Sequence, residues 1–310
     1  MGSIAVTGAS GTVGSAVLAE LSGHAVSVRA LSRRGTAGVG ESATAAGRRD
    51  GSGQPEWVRF SFTQPSTWTA AFDGVGSLFV VRPPQIADVA HDLLPALVAA
   101  RAAGLGRVVF LSVLGAQRNP LLPHRRVERW LETSGMAATC LRAGNFMQNL
   151  ATVHAADIRD RDQLVVPAGD ATMSYVDARD VAALAAACLT GTAPTRGSWD
   201  VTGPAAVTHT DVAAALSRAL GRQIIYTRPG LPRYWAHARR TGMPAATTAV
   251  TSVLYTLARG GIGARLGDDF SEVLGRPPRD LDTFAHDYRT VWARRPVQSS
   301  AGASPAATGG

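Results

Sequence analysis

The stretch Ile-Ala-Val-Thr-Gly-Ala-Ser-Gly-Thr-Val-Gly at residues 4–14 decides the fold of this chain. Its apolar start predicts a β-strand, its three glycines predict a tight turn, and the amphipathic residues Ser15–Leu21 predict a helix. Glycine lets the backbone turn sharply and lets a ligand approach it closely, and the first amides of a helix carry a partial positive charge. This order of elements therefore favours a pyrophosphate site.

The chain that follows this helix indicates which dinucleotide is bound. A second apolar run, Ala25–Leu31, closes a β-α-β unit and leads into Ser32-Arg33-Arg34. An acidic residue here usually holds a free ribose 2′-hydroxyl, whereas arginine suits a 2′-phosphate. We therefore predict that Arg33 and Arg34 bind NADP(H). The alternatives are that the glycines form an ordinary connection and that the arginines are a solvated surface pair.

Composition restricts the class of protein and its partners. The chain has 310 residues, 45% of them hydrophobic, and none of its apolar runs is long enough to span a membrane. The first strand begins almost at once and leaves no room for a signal peptide, so we expect a cytoplasmic protein with no membrane partner. The arginines form scattered pairs without a nucleic-acid motif, so we expect no nucleic-acid partner despite the net charge of +8.

Composition also excludes several chemistries. All 31 basic residues are arginine, so the chain can form no Schiff-base lysine and no Tyr-x-x-x-Lys pair. Cys140 and Cys188 each lie in an apolar segment, without the spacing of a metal site or of a disulfide framework. We expect buried free thiols and no metal.

Strands and helices alternate along the first 150 residues. The pattern predicts further strands at 57–62, 77–81, 107–113 and 137–141, and further helices at 67–72, 86–103 and 124–133. This alternation predicts an α/β fold, a doubly wound parallel sheet of the Rossmann type with a smaller mixed C-terminal substrate lobe. We place an NADP-binding domain at 1–150, a lobe that covers the substrate pocket at 151–292, in which 172–204 returns to the sheet, and a disordered tail at 293–310.

Seven short motifs resemble the NmrA-like branch of the atypical short-chain dehydrogenase/reductase family. They are residues 7–14, 31–33, 108–115, His124 with Glu128, 141–150, 176–181 and 274–278. The resemblance implies a Rossmann domain with a smaller lobe, a pocket between the two, and NADP(H) or NAD(H) as cofactor. Members of this family range from quinone and imine reductases to non-catalytic redox sensors. The resemblance therefore specifies the fold and the cofactor better than the reaction.

One departure from catalytic short-chain dehydrogenases bears on the reaction. Their Tyr-x-x-x-Lys pair corresponds by spacing to Pro120 and His124 here. A quinone, an enone or an imine is already a strong electrophile and needs less help from a protonated acid. We therefore predict NADPH-dependent reduction of such a small molecule. The alternative is a non-catalytic NADP(H)-binding redox sensor with a regulatory protein partner; a homodimer is compatible with both readings.

The residues and the resemblance together imply a site at the carboxyl ends of the strands. The implied cofactor contacts are Thr7, Gly8, Ser10, Gly11, Thr12, Val13, Gly14, Arg33, Arg34, Val81, Pro83, Ser112 and Phe146. Arg82 is expected to stabilise a developing oxyanion, His124 to hold the ribose or relay a proton, and Asn145 to line the nicotinamide. The alternatives are a surface arginine, a structural histidine and a structural crossover loop.

Overall fold

The computed structural model describes residues 2–35, 54–194, 197–261, 263–267 and 269–294. Residues 36–53 and nearly all of the tail expected at 293–310 lie outside these residues.

A seven-stranded parallel sheet forms the centre of the structure. The strands of the described chain are β1 (Ser3–Thr7), β2 (Val28–Ser32), β3 (Glu56–Arg59), β4 (Val75–Val81), β5 (Arg107–Val113), β6 (Ala137–Ala143), β7 (Asn145–Phe146), β8 (Gln163–Leu164), β9 (Thr172–Val176), β10 (Ser198–Val201), β11 (Ala206–Thr208) and β12 (Ile225–Tyr226). The order in the main sheet is β10-β6-β5-β4-β1-β2-β3. The order reverses between β1 and β4, and ligands of open α/β sheets bind at such a reversal.

Helices cover both faces of this sheet. The α-helices of the described residues, including those of the smaller lobe, are α1 (Thr12–Leu21), α2 (Trp68–Phe72), α3 (Val89–Asp92), α4 (Leu94–Ala102), α5 (Pro123–Thr133), α6 (Gln148–Ala151), α7 (Ala155–Arg161), α8 (Ala178–Thr190), α9 (His209–Leu220), α10 (Leu231–Arg240), α11 (Ala245–Arg259), α12 (Asp269–Leu274) and α13 (Leu281–Asp287). Two cores result, one between the sheet and α1 with α8, the other between the sheet and α2, α4 and α5. Strands buried on both faces explain the continuous apolar runs of β4 and β5. The predicted doubly wound fold is confirmed.

The helix predicted at 86–103 is wrong in one respect, because the structure divides it in two. Leu93 separates α3 from α4 with a non-helical backbone, φ −125° and ψ −49°. Pro95 follows in the first turn of α4, where its missing amide hydrogen costs nothing. The second and third strands are also shorter than predicted. The second strand begins three residues later than predicted, at Val28, and the third ends three residues earlier than predicted, at Arg59.

A smaller set of elements packs beside the carboxyl ends of the sheet. Strand β9 pairs antiparallel with β11 and parallel with β7, and β12 pairs with β8. Their core includes the buried aromatic side chains of Tyr175, Phe284 and Trp292. Helix α9 begins with a capping box formed by Thr208 and Asp211. The described residues contain no helix that is long and apolar enough to cross a membrane.

The two thiols are buried and free, as predicted. Burial raises the pKa of Cys140 and of Cys188 to about 12, which keeps both protonated and unreactive at neutral pH.

Candidate functional site

The glycine-rich turn joins β1 to α1 at the reversal of strand order. Gly8 has φ +62°, in the left-handed region that favours glycine, and the Gly11 amide donates to the Gly8 carbonyl at 2.8 Å. A Cβ added to Gly14 would lie 2.2 Å from the Gly8 oxygen, whereas one added to Gly11 would lie 3.2 Å from it. The absence of a side chain at Gly14 therefore lets the helix pack against the turn. The absence of a side chain at Gly11 leaves the outer surface of the turn open to close approach by a ligand.

The first turn of α1 is open to an anion. No side chain caps this helix, and no acidic residue lies in its first turn. The side chains of Ser10 and Thr12 are exposed beside these amides, whereas Val13 is buried in the core and can offer only its backbone. Free amides, a positive helix end and a glycine surface fit a pyrophosphate, which supports the predicted cofactor.

Thr7 holds the floor of this site together. Its Oγ1 accepts a hydrogen bond from the Val81 amide at 2.8 Å, and its side chain is buried. The bond ties the end of β1 to the end of β4, and Val81 packs against Gly8. Since the Thr7 hydroxyl is engaged here, its expected contribution to cofactor binding is to fix the turn.

Arg33 and Arg34 lie just beyond the carboxyl end of β2, on the same side of the sheet as the glycine turn. Both are exposed, and among the described residues neither forms an ion pair. Leu31 at the end of β2 pairs with Thr7, and its carbonyl lies 3.4 Å from the Ala9 amide. The two guanidinium groups therefore follow the strand beside the turn, where the sequence places a 2′-phosphate. Whether they contact it remains a prediction.

Arg82 and His124 form a pair across the carboxyl ends of β4 and β5. Nη1 of Arg82 donates to the carbonyls of Pro83 at 3.1 Å and of Ile86 at 2.5 Å, and Nε faces His124 Nε2 at 3.4 Å. The arginine is half-buried, which lowers its pKa without removing its charge. Burial, together with the charge of Arg82, lowers the pKa of His124 to about 4.

This pairing narrows what His124 can do. The ring is neutral at pH 7, and it accepts at Nε2, so its hydrogen lies on Nδ1. It cannot replace the fixed positive charge of a lysine. It can offer one N–H, next to the guanidinium of Arg82.

Ser112 takes part in a buried network that sequence analysis missed. Its hydroxyl donates to Glu128 Oε1 at 2.6 Å, and Arg142 binds both carboxylate oxygens at 2.9 and 2.8 Å. Burial alone would raise the pKa of Glu128, but hydrogen bonds from Arg142 and Ser112 hold it below its ordinary value. The hydroxyl proton of Ser112 is thus committed to Glu128. The sequence signal for this network was Arg142, a charged residue inside the apolar strand 137–143, which requires a buried partner of opposite charge.

Asn145 lies between the main sheet and the small lobe. Its Oδ1 accepts from Asn149 Nδ2 at 3.1 Å, and it pairs in register with Tyr175 on β9. Tyr175 in turn contacts His209 Nε2 at 3.0 Å, deep in the lobe. Phe146 follows Asn145 and is partly buried against the sheet core. The side-chain oxygen of Asn145 is therefore held by Asn149, and its backbone is held beside β9.

The predicted residues thus lie beyond the carboxyl ends of the strands, after β1, β2, β4, β5 and β6. A depression of about 350 Å³ opens at the amino ends of the strands, where it is lined by residues such as Gly2, Gly76 and Gly106. None of the predicted site residues lines it. Among the described residues, no group of three or more His, Cys, Asp or Glu side chains is placed to hold a metal ion.

Comparisons with known proteins agree with this geometry. The sequence profile of the NmrA-like family matches residues 1–234. The NAD(P)H azoreductase of Xenophilus azovorans is 33% identical over 289 residues, 91% of this chain and 96% of the relative. The fold is shared with an NADPH-dependent quinone oxidoreductase of Escherichia coli complexed with NADPH, with a TM-score of 0.77 at 24% identity over 92% of this chain and 99% of that one. It is also shared with the Citrobacter sp. triphenylmethane reductase complexed with NADP(H), with a TM-score of 0.76 at 21% identity over 91% and 98%.

Proposed function

The chain belongs to the NmrA-like family of atypical short-chain dehydrogenases/reductases, and on this premise we propose that it is an NADPH-dependent reductase of small activated electrophiles. The observation that carries the proposal is the uncapped start of α1 behind the glycine turn, in a chain without lysine. The curated azoreductase relative is itself named as NAD(P)H-dependent. Azo compounds, quinones and imines share a polarised or electron-poor double bond, so they form the substrate class that we propose.

Different residues would bind the two ends of the cofactor. The amides at the start of α1 would hold the pyrophosphate, and Arg33 with Arg34 would bind the 2′-phosphate. Asn145 and Phe146 would border the nicotinamide. When bound, NADPH supplies the hydride, and the protein supplies placement and electrostatics.

Arg82 and His124 would face the negative charge that develops on the acceptor. The Arg82 guanidinium is held by backbone carbonyls, and His124 keeps one N–H on Nδ1. A prearranged donor of this kind stabilises an oxyanion without reorganisation. Neither group is a ready proton donor at neutral pH, because arginine stays charged and His124 is neutral. This favours acceptors that need charge stabilisation more than protonation.

The activity is tested by NADPH oxidation with a panel of acceptors. We expect turnover with quinones, azo dyes or conjugated imines, and none with an unactivated ketone. His124→Ala and Arg82→Gln should each lower kcat by about tenfold to a thousandfold while NADPH affinity changes by less than about threefold. Absence of turnover with every acceptor would contradict the proposal.

Cofactor preference is tested separately at Arg33. A charge-assisted hydrogen bond to the 2′-phosphate contributes about 1.5–3 kcal/mol, so Arg33→Gln should weaken NADPH binding about tenfold to a hundredfold in calorimetry. NADH binding should not change, since NADH lacks the phosphate. Arg126→Gln, an exposed arginine on α5, is the matched control. Equal affinity of the wild type for the two cofactors would rule out this role.

A second candidate is a non-catalytic NADP(H)-binding redox sensor. It is favoured by the hydrogen bond of 2.6 Å from the Ser112 hydroxyl to Glu128, which removes this hydroxyl as a donor to a substrate. A sensor predicts no turnover and a partner affinity that differs between NADP⁺ and NADPH, because a ligand shifts an equilibrium only by its differential binding. Turnover with any acceptor of the panel at a useful rate would exclude it.

A further inference from the structure

The excess positive charge of this chain is confined to one segment. Between residues 212 and 267 the sequence contains eight arginines and neither aspartate nor glutamate. The remaining 23 arginines equal the 23 acidic residues in number, so this segment carries the whole net charge of +8. The sequence analysis treated the arginines as scattered pairs, but the charge that acidic residues do not balance is concentrated in this segment.

Half of these eight arginines have acidic partners and half do not. Four form ion pairs with carboxylates outside the segment, namely Arg218, Arg222, Arg228 and Arg265. The other four are exposed, and within the described residues they form no ion pair; they are Arg233, Arg239, Arg240 and Arg259. All four unpaired guanidinium groups lie on the two neighbouring helices α10 and α11.

Helix α11 also exposes a row of large aliphatic side chains. Val250, Val253, Leu254 and Leu257 are 60%, 58%, 55% and 48% exposed, and their spacing puts them on one face. Thr248, Ser252 and Tyr255 on the opposite face are buried against the small lobe. We call the four exposed residues the α11 stripe. No charged residue interrupts α11 before Arg259.

Unpaired arginines lie near one end of this stripe. Helices α10 and α11 form a hairpin that is fastened by a hydrogen bond of 2.8 Å between Tyr234 Oη and Thr251 Oγ1. Arg239 and Arg240 end α10, just before the turn into α11. Arg259, at the end of α11, falls by helical spacing on the opposite face, and its guanidinium lies beside Gly169. An apolar row with cationic groups near its start suits a surface that is apolar inside and anionic outside.

We propose that the α10–α11 hairpin docks on a lipid bilayer surface that carries anionic headgroups. The stripe would enter the boundary between headgroups and acyl chains, and the guanidinium groups would meet lipid phosphates. Arginine suits this position because its stem can lie on apolar groups while its charged end reaches outward. The proposal does not depend on the reductase activity.

Two other occupants are disfavoured by the same residues. A second copy related by a two-fold axis would bring the unpaired arginines of α10 from both chains close together, and α10 and α11 contain no carboxylate that would offset their charge. A nucleic acid would bind the arginines but would leave the aliphatic stripe against a polar backbone. A bilayer surface satisfies both features at once.

The expectation of no membrane partner rested on the lack of a spanning run, which is a different property. Helix α11 has 15 residues, so it is about 22 Å long and shorter than a span. Docking needs only exposed side chains on one face of a helix that already belongs to the fold.

Vesicle co-sedimentation of the full chain tests the proposal. The probes are phosphatidylcholine vesicles with and without one quarter phosphatidylglycerol, each at low and at molar salt. We expect binding to the anionic vesicles only, and loss of binding at molar salt. Leu257→Glu should weaken binding at least tenfold, and Arg239→Gln with Arg240→Gln should weaken it about fivefold for each arginine.

Matched variants on helices that pack against the central sheet serve as controls. Val98→Glu adds the same charge at an exposed aliphatic position of α4, and Arg126→Gln with Arg129→Gln removes two exposed arginines of α5. Neither control should change vesicle binding, and NADPH affinity should stay constant in every variant. Lack of binding to anionic vesicles, or equal binding by Leu257→Glu, would overturn the proposal. So would a solution dimer that the same substitution dissociates, since the stripe would then face a second copy.

Discussion

At the scale of single residues, two glycines of one turn do different work. A methyl group at Gly14 would meet the backbone oxygen of Gly8 at 2.2 Å, a distance that real side chains do not adopt. At Gly11 the same addition meets only that oxygen at 3.2 Å, and the methyl group would stand on the surface where a pyrophosphate would lie. The two positions therefore separate folding from binding.

We expect Gly14→Ala to lower the free energy of unfolding by about 3 kcal/mol, because the clash is with backbone and outweighs the helix propensity of about 1 kcal/mol that alanine gains. Gly11→Ala should change stability by less than about 1 kcal/mol and weaken NADPH binding at least tenfold. Urea unfolding and calorimetry measure the two effects. Wild-type NADPH affinity in the folded Gly11→Ala protein would refute the assignment of this turn.

At the scale of elements, one buried carboxylate joins a helix to two strands. The Glu128 carboxylate on α5 accepts hydrogen bonds from Ser112 on β5 and from Arg142 on β6. Arg125 adds a further bond from within α5 at 3.2 Å. A buried ion pair adds little net stability, yet removal of one partner leaves the other charge unpaired at a large cost.

We expect Glu128→Gln to lower the free energy of unfolding by about 3 kcal/mol at pH 7. The pKa of Glu128 is lower in the folded protein than in the unfolded chain, so its stabilisation is present above the unfolded value and is lost as pH falls through the folded one. The variant should therefore lose less stability than the wild type on acidification. Glu132→Gln, which removes an exposed carboxylate that bonds only Arg125, should cost less than about 1 kcal/mol.

At the scale of the whole molecule, acid sensitivity should begin in the small lobe. Burial lowers the pKa of His154 and of His209 to about 4, and neither ring carries a charge at neutral pH. Asp157 and His237 flank His154 and form an ion pair of 2.7 Å when His237 is protonated. The unfolded chain binds protons at these two buried histidines near pH 6.5, where the folded protein does not.

Folding stability should therefore fall as pH decreases from about 6.5 to about 4, by up to about 3 kcal/mol for each of these histidines. His154→Gln should flatten this part of the stability curve, which urea unfolding at a series of pH values measures. His91→Gln is the control, because that ring is exposed and Asp92 raises its pKa, which gives the opposite slope. An unchanged slope in His154→Gln would show that the ring takes up a proton in the folded state.

Local patterns were enough to predict the elements of the sheet and the glycine turn. Strand, turn and helix at 4–21 follow from residues close in sequence, since glycine, helix ends and hydrophobic periodicity act over a few positions. The capping box at Thr208 is equally local. The break at Leu93 was missed, although Pro95 marked it, because the apolar spacing continued on both sides.

The side-chain partners at the site were decided by the tertiary structure. Sequence analysis named Ser112, Arg82 and His124 singly, but the contact of Arg82 with His124 spans 42 residues, and the pairing of Asn145 with Tyr175 joins two strands. Protonation of His124 depends on burial and on a neighbouring charge, neither of which is encoded near residue 124. The same holds for the α11 stripe, because only the packing of the opposite face shows that these aliphatic side chains remain in solvent. Sequence determines which residues form an element, and the fold determines which of them meet and which stay exposed, because burial is a property of contacts between distant parts of the chain.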